Sequence, residues 1–131
     1  MRTSFKMEES YITMIRGDTL AFGMSIDGLD GQDLETAYMT CKANKSDAEY
    51  VFQKSLGNGI VKVDDGEYTV RVAPEDTADV VEGKYFYDLE IGLNSDIFTV
   101  LHGILEIIQD VTNNYNPEPE PYIEDGTNIE Y

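Results

Sequence analysis

Apolar and polar residues alternate with a period of two through most of the first 112 positions, and no other feature restricts the fold as much. Leu20, Phe22, Met24 and Ile26 are separated by Ala21, Gly23 and Ser25. Tyr68, Val70 and Val72 are separated by Thr69 and Arg71. Tyr85, Tyr87, Leu89 and Ile91 are separated by Phe86, Asp88 and Glu90. Successive strand side chains point to opposite faces, so each segment offers one face to a core and one to water. Further strands are expected at 11–15, 37–43, 50–54, 60–63 and 97–108, with Gly103 interrupting the last and predicting a bulge or bend there. Phe86 breaks the polar outer face of its strand, which marks it for covering a loop or meeting a partner.

Turn signals separate these runs. Asp65-Gly66, between Val63 and Tyr68, predicts a tight hairpin with both central residues at positive φ. Asn58-Gly59 precedes Ile60, and Asn94-Ser95-Asp96 parts two apolar runs. Short strands with frequent turns, and no helical stripe of any length, predict an all-β, immunoglobulin-like antiparallel sandwich. One helical turn is expected at 74–79, where Pro74 suits a first helical position and Glu75 and Asp76 suit the first turn. It would form the E–F corner of such a sandwich. Tyr85 is the first candidate for the tyrosine that hydrogen-bonds back across that corner and Tyr87 the second, an ordinary core tyrosine being the alternative.

A chain of 131 residues holds one domain able to bury a core without metal or disulfide. The expected division is a sandwich over 1–112 and an arm over 113–131. The arm, NNYNPEPEPYIEDGTNIEY, carries three prolines, five acids and no base; its alternating Pro and Glu at 117–121 favour an extended, stiff chain. Tyr122-Ile123 and Ile129-Glu130-Tyr131 flank Asp125-Gly126 in the pattern of a small hairpin, or of a strand added to a neighbour.

With 26 acidic against 9 basic residues, a net charge of −17 opposes binding to nucleic-acid phosphates and to anionic lipid. No apolar run is long enough to span a membrane, and the opening MRTSFKMEESYITMIRGD lacks the apolar centre of a secretory signal. Nothing in these residues marks the chain for export. Catalysis is not expected. The single histidine, His102, has no nucleophile at a telling spacing, and only a pocket joining it to carboxylates would alter that reading. Cys41 reads as a buried thiol, and one Cys with one His makes no zinc site. The acids of DGLDGQD at 27–33 do not follow the calcium-loop spacing, so neither cofactor nor metal is expected. Arg16-Gly17-Asp18 and Asn44-Lys45-Ser46 spell an integrin tripeptide and a glycosylation acceptor, but without an export signal both matches are discounted.

Several stretches in order then carry a resemblance. They are Ile15-Arg16-Gly17-Asp18-Thr19, the alternating Phe22, Met24 and Ile26, and Gly66 with Tyr68, Val70 and Val72. They continue with Pro74 to Ala78, with Glu82 to Leu89, and with Thr99 to Ile107 closing in Asp110-Val111-Thr112. Their order resembles the immunoglobulin-like N-terminal domain of phage baseplate upper proteins and related small prophage proteins of Gram-positive bacteria. That resemblance implies a non-enzymatic particle component, in the baseplate, tail or head, made in the bacterial host cytoplasm and assembled into the virion, where it contacts other phage structural proteins or copies of itself. Phe86, Tyr115, Tyr122, Ile123 and Tyr131, as aromatic or apolar groups expected at the surface, are the candidate contact residues. Two other readings compete: a ligand- or carbohydrate-binding module, which a concave cluster of exposed tyrosines would favour, and an acidic inhibitor that mimics DNA.

Overall fold

The computed structural model describes residues 7–111; the expected arm at 113–131, and with it Tyr115, Tyr122, Ile123 and Tyr131, lies outside the described residues. The strands are β1 (Glu8–Ile15), β2 (Leu20–Ser25), β3 (Thr36–Lys42), β4 (Phe52–Leu56), β5 (Gly59–Asp64), β6 (Glu67–Val72), β7 (Gly83–Leu93) and β8 (Asp96–Ile108). One helical turn, α1 (Pro74–Thr77), stands between β6 and β7. The strands form a single sheet in the order β1-β8-β7-β3-β4-β5-β6-β2. This single sheet forms a barrel-like sandwich, in keeping with the immunoglobulin-like all-β fold that the alternation predicts.

Period-two patterning explains which side of each strand faces inward. In β3, Ala37, Met39 and Cys41 are buried, while Thr36, Tyr38, Thr40 and Lys42 on the other face are half-buried. In β6, Tyr68, Val70 and Val72 are buried between exposed neighbours. One core cluster unites these with Phe52, Ile60, Tyr87, Leu89, Ile91, Leu105 and Ile107. Leu20, Phe22 and Met24 pack against the core only partly, because β2 is an edge strand paired with β6 alone.

Two pairings depart from the antiparallel expectation. β1 runs parallel to β8, from Glu8 opposite Leu101 to Ile15 opposite Ile108, and β4 meets β5 in parallel at Ser55–Gly59 and Leu56–Ile60. No hairpin joins β1 to β8, so nothing forces them to run in opposite directions.

The turns also sort differently. Asp65-Gly66 does join β5 to β6, but only Gly66 has positive φ, at 72°. A register shift between Lys62 and Asp64 takes up the extra residue, as in hairpins whose single left-handed residue is a glycine. The two-residue hairpin turn with both φ values positive is Asn94-Ser95, at 54° and 68°, between Leu93 and Asp96. Gly103 is not the bulge either. The register of β7 on β8 shifts at Leu89/Glu90, opposite Val100, and Gly103 pairs regularly with Tyr87 and Ser10. Its role is close approach: a Cβ there would lie 1.8 Å from the Ser10 carbonyl oxygen.

The corner after α1 is built as expected. The Tyr85 hydroxyl donates to the Val81 carbonyl across the turn into β7. Tyr87 is a core residue instead, with its hydroxyl donating to the Ser10 carbonyl at 3.2 Å. Asp76 holds α1 in place by accepting from the Ala73 N–H at 2.7 Å and from Lys54 Nζ at 2.9 Å. The Arg16-Gly17-Asp18 stretch is tied into the same corner. Arg16 bonds Asp110 at 3.0 Å and the Val80 carbonyl at 3.2 Å, and the Gly17 N–H donates to Thr77 Oγ1 at 2.8 Å.

Candidate functional site

Folding β1, β8, β7, β3 and β4 into one layer leaves their outward side chains on a shared face, and that face is concave. It forms an open trough of about 820 Å³. Cross-strand registers arrange its residues in rows. The middle row is Gln53, Thr40, Asp88, His102 and Glu9, running from β4 to β1. Above it lie Tyr38, Glu90 and Thr99. Below it, towards the end of β8, Lys42, Phe86 and Ile104 stand side by side. The loop between β3 and β4 adds Lys45, Ala48 and Tyr50 to the rim.

Phe86 is half-buried rather than exposed. The loop folds over it, and Lys45 Nζ stands 5.2 Å from its ring centroid. Lys42 Nζ donates to the Asp47 carbonyl at 2.8 Å, which ties the same loop to β3, and Gln53 Nε2 donates to Thr40 Oγ1 at 2.9 Å. Burial pushes the Asp88 carboxyl above the ordinary carboxylate range, and the charges of Lys42 and His102 pull it partly back. Tyr50 is 54% exposed. The rim is therefore basic and aromatic beside Phe86, and the floor turns acidic towards Glu90.

This face does join His102 to carboxylates, because β7 and β8 put Asp88 directly opposite it. Period-two alternation had already placed Asp88 and Glu90 on one outward face, but the aromatic rim was not legible. Tyr38, Tyr50 and the two lysines gather there only through strand pairing and the β3–β4 loop. Cys41 is on the opposite, core side of β3, and burial raises its thiol pKa to about 12, so it is not a nucleophile at this face. Among the described residues no group of three or more His, Cys, Asp or Glu is arranged to hold a metal ion. None of the helices there is long and apolar enough to cross a membrane.

No family model matches the chain, and no curated protein matches it. Solved structures resemble it in shape at low identity. An endo-β-1,4-mannanase from Thermotoga petrophila aligns with a TM-score of 0.48 and 10% identity, over 80% of this chain and 18% of its own. The extracellular domain of the voltage-gated sodium channel β4 subunit aligns at 0.42 and 12%, over 85% of this chain and 99% of its own. A putative glycoside hydrolase from Bacteroides vulgatus ATCC 8482 aligns at 0.51 and 13%, over 79% of this chain and 17% of its own. The chain thus spans less than a fifth of either hydrolase, and at 13% identity the shared feature is the sandwich fold alone.

Proposed function

We propose that the chain is a non-enzymatic binding module, a structural or adaptor component of a phage particle, that engages its partner through the outer face of the β1-β8-β7-β3-β4 layer. The observation that carries this reading is the trough itself. A rigid five-stranded layer presents Tyr38, Tyr50 and Phe86 among hydrogen-bonding side chains, the mixture of aromatic anchors and polar groups that protein interfaces favour. The particle setting comes from the resemblance in the order of the sequence segments.

Catalysis fits the trough less well. Asp88 and His102 lie on the floor of a trough that, among the described residues, stands open to water, which a reacting group would have to exclude. Ligand or carbohydrate recognition is the second reading, favoured by Tyr38 and Tyr50 rimming the same trough as Gln53, Asp88 and Glu90.

The test is co-sedimentation of the purified chain with particles induced from the bacterium that encodes it. A Thr40→Arg variant, whose long side chain fills the trough floor, is run beside it after its fold is checked by circular dichroism. Binding by the chain and loss in the variant is the expected result. Failure of the chain to sediment with particles, together with binding to a glycan panel that Thr40→Arg abolishes, would replace this reading with the second.

A further inference from the structure

The lower end of the trough differs from the rest in chemistry and in place. Phe86 and Tyr50 supply ring faces, Ile104 an apolar floor, and Lys42 and Lys45 positive charge. The molecule has 26 acidic and 9 basic residues, so two lysines on one rim are a local exception. Among the described residues, side-chain ion pairs engage Arg16, Lys54 and Lys62. Lys42 donates to a carbonyl and its charge acts on Asp88 without a side-chain ion pair, Lys45 stands over a ring, and an ammonium group with three donors has capacity left for a carboxylate.

The chain carries a segment of complementary chemistry. Pro117-Glu118-Pro119-Glu120-Pro121 alternates proline with negative charge and has no base near it. Proline-rich peptides of this kind favour the polyproline II conformation and dock in aromatic-lined grooves at small entropic cost. Its distance along the chain also fits. Phe86 and Ile104 are opposite one another only four residues before the end of β8 at Ile108, about 13 Å along the strand. Nine residue steps lead from Ile108 to Pro117, a reach of up to about 30 Å. A tethered segment that can span the gap competes at an effective concentration on the order of millimolar.

We propose that the Pro117–Pro121 segment of the same molecule docks in the lower end of the trough, with prolines against Phe86 and Tyr50 and glutamates towards Lys42 and Lys45. The arm is then a tethered competitor that any outside partner of this face must displace. This inference rests on the trough being a binding face, but the experiment reads the arm independently of any partner.

The test uses the full chain with Glu124→Cys carrying a nitroxide label, Cys41 being buried and unreactive. Paramagnetic broadening of Lys42, Phe86 and Ile104 amides, and not of Thr69 or Val70 in the other layer, is the expected result. Adding Lys42→Glu and Lys45→Glu should abolish it. A mixture of labelled unenriched chain with unlabelled ¹⁵N-enriched chain should show no trough broadening. Broadening in that mixture would mean that a second copy supplies the arm and would overturn the proposal. Equal broadening of both layers, or none, would overturn it as well. If particle binding persists while the broadening is absent, the binding-face reading stands and only the tethered arm is rejected.

Discussion

A glycine that looks like a break in a strand pattern has two physical explanations, and Gly103 separates them. Alternation through β8 falters there, which suggests a bulge, yet its register with Tyr87 and Ser10 is regular. The residue is small because the β1 backbone passes so close that a methyl group would overlap the Ser10 carbonyl. Gly103→Ala should therefore detach or displace β1 at a cost of at least about 1–3 kcal/mol, as overpacking does. Chemical denaturation would measure the loss, and hydrogen exchange should show it concentrated in β1 and the facing amides of β8. Full stability with unchanged exchange in β1 would contradict the geometry. The sequence offered no means of telling close approach from a bulge, since both need only a missing side chain.

At the scale of elements, α1 is too short to be stable alone, and its position comes from its contacts. Asp76 joins it to β4 through Lys54, whose side chain is 9% exposed, and Thr77 joins it to the β1–β2 turn through the Gly17 N–H. Lys54→Met should cost about 2–3 kcal/mol, at or below the roughly 3–5 kcal/mol of a fully buried pair, because Asp76 keeps the Ala73 N–H and is partly exposed. Adding Asp76→Asn should cost less than the two single changes summed, and a double-mutant cycle by thermal or urea unfolding checks this. Additive losses would mean that the pair is not coupled. Period and turn chemistry made α1, Tyr85 and most strand positions readable in advance. Lys54 was not readable as buried, because only the approach of the α1 corner supplies the carboxylate that permits it.

Over the whole molecule, 26 acids against 9 bases set up long-range self-repulsion that three-dimensional packing does not relieve. Stability should accordingly rise with salt over the range in which the Debye length contracts from about 30 Å to about 10 Å, that is from about 0.01 to 0.1 M. Thermal unfolding in a series of sodium chloride concentrations measures it. A melting temperature that falls with salt would mean that the few ion pairs outweigh the net repulsion. The same repulsion opposes close association of two copies through their acidic surfaces, which makes the basic rim of the trough a favoured place for acidic chain to settle.

Local chemistry determined what was local: which residues alternate, where turns break the chain, that Cys41 is buried, and that a tyrosine closes the corner before β7. Each of these depends on side-chain period or on contacts a few residues apart. Tertiary structure decided what depends on partners far away in sequence. It chose parallel pairing for β1 and β8, whose paired residues are more than 90 positions apart, and moved the two-residue left-handed turn to Asn94-Ser95. It also brought Phe86 beneath Lys45 and set His102 opposite Asp88. Alternation specifies a face for each strand, but strand order and register specify which faces become neighbours, and the trough exists only once that order is set.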